Sequence, residues 1–194
     1  MPQYFFGGVN ASGKSTLIGK IKQARPEFKV IHTRVAIMER LGIAQDDIET
    51  FRLLPEEYKY RENESMFSDL TKDLVGKSVI YDSHYLNMIE GKITPLISGS
   101  WLTNISSLIL VEADPKTLLK RIMKDRPVKN RRLFPDGTTP KQAVNILGNY
   151  SQQNREECER IASMFNLPVL VLRNDSHELD KVVQKFLEFI KYIR

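Results

Sequence analysis

The sequence predicts an α/β protein, a parallel β-sheet of about five strands flanked by helices. Two observations carry that expectation. Short apolar runs alternate with longer stretches of helical periodicity along the chain, the pattern of strands joined through crossover helices. One glycine-rich segment, Gly8-Val9-Asn10-Ala11-Ser12-Gly13-Lys14-Ser15, lies between an apolar run and a helix. It spells G-x-x-x-x-G-K-[S/T], the phosphate-binding P-loop.

The elements follow in order. Tyr4-Phe5-Phe6 is an apolar, aromatic run that reads as the first strand, and a helix from about Gly13 to Arg25 is stopped by Pro26. Lys29-Val30-Ile31-His32 is a short second strand, followed by a helix from about Thr33 to Leu41 that ends at Gly42. Leu54-Pro55-Glu56-Glu57 opens a long helix with proline in its first turn; Met66, Phe67, Leu70 and Leu74 mark its buried face and Gly76 closes it. Ser78-Val79-Ile80-Tyr81-Asp82 is a third strand with an acid at its carboxyl end. The stretch from Ser83 to Ser106 reads as loop mixed with short helix. Ser107-Leu108-Ile109-Leu110-Val111 is a buried fourth strand, and Asp114-Pro115 starts a helix by cap and first-turn proline. An arginine-rich stretch broken by Pro and Gly runs from Asp125 to Pro140; a long helix to about Phe165, the strand Val169-Leu170-Val171-Leu172 and a helix from about Ser176 complete the chain.

Composition limits the classes of function. The 194 residues fit one domain, and 41% hydrophobic with 27% charged residues is the balance of a soluble globular protein. There is no long apolar run for a membrane span and no basic-then-apolar leader before the P-loop. Cys158 is the one cysteine, which excludes an internal disulfide and a cysteine-based metal site. A cytosolic protein is expected. The formal charge of +5 suits nucleic acid, but arginines around polyphosphate account for it equally. With no aromatic-plus-basic RNA motif, nucleic acid is not expected as the primary ligand.

The P-loop residues have distinct tasks. A triphosphate needs many donors in a small arc, and backbone N–H groups alone crowd that closely. Gly8 and Gly13 leave room for phosphates and permit backbone angles that other residues avoid. Val9, Asn10, Ala11, Ser12 and Thr16 contribute backbone to the same cradle. Lys14 brings a full charge to the outer phosphates, and the Ser15 hydroxyl is suited to Mg²⁺.

In open parallel sheets, ligands bind beyond the carboxyl ends of the strands. That rule gathers the P-loop after the first strand, Thr33 and Arg34 after the second and Asp82 after the third. Asp82 either holds Mg²⁺, as acids at strand ends do in P-loop enzymes, or caps the next turn. His84 either touches a substrate phosphate or bonds a loop. Arg121, Arg126, Arg131 and Arg132, with Arg155 on the next helix, either close over phosphates or form a solvated face. Arginine forks onto phosphate oxygens, and phosphoryl transfer depends mostly on positioning and positive charge.

These pieces together resemble archaeal-type adenylate kinases, within the nucleoside monophosphate kinase group of P-loop proteins. The likeness rests on the segment from Gly8 to Thr16, on Phe51-Arg52-Leu53-Leu54, on Asp82-Ser83-His84 where that family has Asp-Thr-His, and on Leu110-Val111-Glu112-Ala113-Asp114-Pro115. Lys129-Asn130-Arg131 and Asn154-Arg155 complete it. The sequence departs from the family at Asn10-Ala11, where Pro-Gly is usual, and in the Thr33-Arg34-Val35 and Tyr85 to Gly99 segments. The resemblance implies one P-loop kinase domain over residues 1–194, with an acceptor-binding region at about 33–75 and a short lid at about 125–140. It implies ATP and Mg²⁺ as cofactors, with Lys14 and Ser15 on the ATP phosphates and metal, and Asp82 near the metal. Arg121 would lie near the ATP base, Thr33, Arg52 and His84 on the acceptor, and Arg131 and Arg155 between the two nucleotides. The exit of the last strand, Arg173-Asn174-Asp175, would pass close to the adenine. The implied activity is transfer of the ATP γ-phosphoryl to a nucleoside monophosphate, AMP first, and the resemblance admits an oligomer. Two other readings stand beside it: a P-loop kinase of a non-nucleotide small molecule, and a regulatory ATPase associated with RNA or protein.

Overall fold

The computed structural model describes residues 1–97, 99–125, 132–175 and 178–193. Strand β1 (Gln3–Gly8) is buried along its whole length, with Tyr4 and Phe6 on one face and Phe5 on the other. A strand apolar on both faces belongs at the centre of a covered parallel sheet, and β1 is the middle strand. The order is β2 (Lys29–His32), β3 (Val79–Asp82), β1, β6 (Ser107–Glu112), β7 (Val169–Arg173), and each neighbouring pair is parallel.

Helices cover both faces. On one, α1 (Lys14–Ala24) and α7 (Leu179–Tyr192) bury Leu17, Ile18, Ile21 and Phe186 against Tyr4 and Phe6. The other face is covered by α2 (Thr33–Arg40), α4 (Glu56–Asp73) and α6 (Pro140–Phe165), with α5 (Pro115–Asp125) packed on α6. There Phe67 stacks on Trp101 with ring centroids 4.2 Å apart, and Phe5 lies against both. Helix α6 starts in a capping box, in which Thr139 and Gln142 satisfy each other's backbone N–H groups.

Two parts differ from the sequence reading. The stretch from Ser83 to Ser106 holds an antiparallel hairpin, β4 (Leu86–Ile89) with β5 (Lys92–Pro95), before a 3-10 turn at Ser100–Asn104. Its two-residue turn is Glu90-Gly91, both with positive φ (50° and 79°). Such a turn normally announces itself as Asn-Gly or Asp-Gly, and glutamate at that position gives no signal. The hairpin exists because it is anchored elsewhere. The Glu90 and Gly91 N–H groups donate to the carbonyls of Arg132 (2.7 Å) and Leu133 (2.9 Å), while Leu86 and Met88 are buried. The second difference is α3 (Ile48–Leu53), a short helix capped by Asp47, whose carboxylate accepts from the Thr50 N–H. Residues 126–131 of the arginine-rich stretch, Arg126 and Arg131 among them, lie outside the described residues, as does Ser176, where the last helix was expected to begin.

Tyr85 packs against the end of β1. Its ring is fully buried beside Gly7, and its hydroxyl donates to the Ile109 carbonyl at 3.2 Å. A Cβ at Gly7 would stand 2.2 Å from the ring, and a ring packed on every side has nowhere to go. Gly7→Ala is therefore expected to lower the unfolding free energy by about 1–3 kcal/mol. Urea denaturation of the two proteins checks this.

Candidate active site

The carboxyl edge of the sheet assembles the site. β1 ends at Gly8 so close to β6 that a Cβ there would meet the Val111 carbonyl oxygen at 2.2 Å. The chain then turns, with the Ser12 N–H on the Val9 carbonyl at 3.3 Å, through Ala11 (φ 65°) and Gly13 (φ 84°) into α1. The N–H groups of that first helical turn have no partner within the helix, and with the dipole they favour an anion.

Register brings the acid to the P-loop. Asp82, the last residue of β3, stands opposite Phe6 of β1 and His32 of β2. Its carboxylate faces the P-loop: Oδ1 accepts from Lys14 Nζ at 2.5 Å, and Oδ2 accepts from the Ser15 hydroxyl at 2.9 Å. His32 Nδ1 approaches Oδ2 at 3.1 Å, and the Thr33 hydroxyl donates to the Asp82 carbonyl at 3.1 Å. The Lys14 and Asp82 side chains are each only 7% exposed, so the pair is shielded from solvent. Burial pushes the Asp82 carboxyl upward, but the Lys14 charge, the hydrogen bonds from Lys14 and Ser15 and the His84 charge outweigh it and hold it below the usual value. His84 Nδ1 lies 2.7 Å from the Gly8 carbonyl, at the start of the loop. Ser15 and Asp82 present hard oxygen donors 2.9 Å apart, a donor set that suits Mg²⁺ completed by phosphates and water.

The arginines are distributed differently. Arg121, on α5, reaches the P-loop and donates to the carbonyls of Ala11 (3.3 Å), Ser12 (3.2 Å) and Asn174 (2.8 Å). Arg155 forks onto Glu112, at the end of β6, at 3.0 and 2.6 Å. That pair lines a cavity of about 230 Å³ with Ser151, Gln152 and Arg173. Arg52 pairs with Glu49 on its own helix, and Arg132 reaches the same carboxylate at 3.4 Å. The structure thus brings together the P-loop, Thr33, Asp82, His84 and Arg121, whereas Arg52 and Arg155 rest on carboxylates of their own neighbourhoods. A larger groove of about 520 Å³ between α2 and α4, lined by Arg40, Met66 and Asp69, includes no P-loop residue.

Sequence reasoning passed over His32 and gave Asn174 only a place near the adenine. His32 closes an apolar run and carries no local mark; it joins the site because β2 pairs in register with β3.

No family model matches the chain. An adenylate kinase from Pyrobaculum aerophilum is 28% identical over 120 residues, covering 59% of this chain and 59% of that protein, so the chain spans about three fifths of that relative's length. A shikimate kinase from Bacteroides thetaiotaomicron superposes over 98% of both chains with a TM-score of 0.61 at 15% identity. A shikimate kinase from Acinetobacter baumannii, in complex with shikimate, gives 0.65 at 11% identity, over 98% of this chain and 93% of that one. The fold is that of the P-loop kinases, nucleoside monophosphate kinase-like. The narrower likeness to archaeal-type adenylate kinases goes beyond what these matches establish. Among the described residues, no helix is long and apolar enough to cross a membrane.

The Lys14–Asp82 pair has a measurable signature in the ligand-free protein. Asp82→Asn leaves a shielded ammonium without its counter-charge and is expected to destabilise by about 3 kcal/mol. A carboxyl held below its ordinary value contributes stability in full above about pH 4 and loses it as the pH falls through the folded value. The gap between wild type and Asp82→Asn in urea denaturation should therefore be constant near neutrality and narrow on acidification.

Proposed function

We propose that the protein is an ATP-dependent phosphotransferase that moves the γ-phosphoryl of MgATP to a small acceptor. The observation that carries this reading is the convergence of Lys14, Ser15 and Asp82 at the mouth of the P-loop. An ammonium for the outer phosphates and two oxygens for the metal meet where an anion-binding helix starts. Phosphoryl transfer asks little else of a protein than such positioning and charge. In this reading the backbone from Gly8 to Thr16 cradles the phosphates, Lys14 releases Asp82 for them, and Ser15 and Asp82 hold the metal. When bound, Mg²⁺ neutralises charge on the phosphates. Arg131 and Arg155 bridge donor and acceptor after Arg155 leaves Glu112.

For the acceptor, a nucleoside monophosphate with AMP first is supported by the adenylate kinase similarity and by Arg52, which sits on a short helix after β2 and α2 with Glu49 in place of a ligand anion. Thr33 bonds the Asp82 carbonyl and His84 the Gly8 carbonyl, both beside the P-loop. One observation favours a second reading, a hydroxyl-bearing small molecule like the shikimate bound by one structural neighbour. His32 is more than half exposed and holds Asp82 through Nδ1, which leaves Nε2 for another partner. An alcohol acceptor must give up a proton and a phosphate monoester need not.

A coupled assay of ADP release against nucleoside monophosphates, shikimate and other small alcohols tests both readings, and no acceptor-dependent ADP release would refute them together. Lys14→Ala is expected to lower kcat/KM by at least about a hundredfold, about 2.7 kcal/mol of transition-state stabilisation. Arg52→Ala should raise the acceptor KM by about tenfold, the scale of one lost charged hydrogen bond, with the ATP KM unchanged.

A further inference from the structure

Ser12 is held from outside the P-loop by two side chains. Its carbonyl accepts from Arg121 at 3.2 Å and from the Asn174 side-chain nitrogen at 2.8 Å. The same guanidinium reaches the Ala11 carbonyl and, with its other terminal nitrogen, the Asn174 carbonyl. Asn174 is itself fixed, 6% exposed, with its backbone N–H on the Glu112 carbonyl at 2.8 Å. The ends of β6 and β7, the middle of α5 and the P-loop are thus tied through one arginine and one asparagine.

A peptide unit is planar and trans, so its carbonyl and its N–H point in opposite directions; among the described residues there is no cis bond. Holding the Ser12 carbonyl outward turns the Gly13 N–H inward, onto the side where a phosphate would sit. Holding the Ala11 carbonyl also secures a non-glycine residue at φ 65°, a conformation that alanine adopts at a cost. Gly13 fits the same picture: a Cβ there would come within 2.2 Å of the Asn174 side-chain nitrogen. Glycine is therefore required at position 13 by the asparagine behind the loop as well as by the backbone angle.

We propose that Arg121 and Asn174 are positioning residues that preset the P-loop backbone for a polyphosphate, with Arg121 acting through the Ala11 and Ser12 carbonyls. This rests on the reading of the P-loop as the ATP site. Three acceptors spaced around one guanidinium use its planar fork, which a single ammonium cannot reproduce. The ordered loop lowers the cost of binding, because its donors are aimed before the anion arrives.

The test is calorimetric binding of MgATP and of magnesium tripolyphosphate, which has no base, to wild type, Arg121→Ala, Arg121→Lys and Asn174→Ala. Amide hydrogen exchange at Gly13 and Lys14 in the ligand-free proteins accompanies it. Arg121→Ala should weaken both ligands by the same factor, about tenfold. Arg121→Lys should fail to restore them, and Asn174→Ala should weaken both in the same proportion to each other. In all three variants the two amides should exchange faster than in wild type. Loss of ATP affinity with tripolyphosphate unchanged would place Arg121 on the base and overturn the proposal. Recovery by lysine would reduce it to a bulk charge, and a lowered melting temperature with unchanged affinities and exchange would reduce it to a fold contact; either overturns it. If wild type binds neither ligand, the P-loop reading falls and takes the proposal with it. If wild type binds both and the variants match it, the proposal falls alone.

Discussion

A lysine ammonium shielded from solvent is tolerable only opposite a carboxylate, and the architecture of this site follows from keeping Lys14 and Asp82 in that relation. The two residues are 68 positions apart. They meet because β1 and β3 are parallel neighbours and Asp82 stands opposite Phe6, just ahead of the P-loop. Shifting that register by one residue would send the carboxylate to the other face of the sheet. The aromatic packing that buries Phe5 against Phe67 and Trp101 on one side, and Phe6 against Phe186 on the other, therefore fixes the electrostatics of the site as well as the core.

The other cations are held less firmly. Arg52 lies on Glu49 and Arg155 on Glu112, and the Arg155 side chain is about half exposed. Partly solvated pairs of this kind contribute about 0–1 kcal/mol, so a phosphate bearing two charges competes with them easily. Arg121 is different, since its partners are backbone carbonyls, two in the P-loop and one at Asn174. Among the described residues, Arg52 and Arg155 thus have exchangeable carboxylate partners and Arg121 is built into the scaffold, a difference that the charges alone do not show.

The parts legible in the sequence were those encoded locally. The P-loop is a contiguous pattern whose glycines are required by positive φ at Gly13 and by the approach of Val111 at Gly8. The five strands of the main sheet were visible as short apolar runs, buried almost throughout in β1, β3 and β6 and only in part in the edge strands β2 and β7. The β4–β5 hairpin was not, because its Glu90-Gly91 turn is a weak former whose N–H groups are satisfied by Arg132 and Leu133, far off in the chain. Helix α3, a single capped turn and a half, is too short for periodicity to reveal.

By itself the sequence determined the α/β class, the phosphate loop and the acid at the end of the third strand, because each depends on neighbours within a few residues. Tertiary structure decided the partners. It turned Asp82 toward Lys14, Ser15 and His32, placed His84 at the Gly8 carbonyl, and set Arg121 and Asn174 on the Ser12 carbonyl. Each of those contacts joins residues that are 50 or more positions apart. A side chain's type states what it can donate or accept. Which group it meets depends on strand order and register, which are properties of the whole packed sheet and of no single segment.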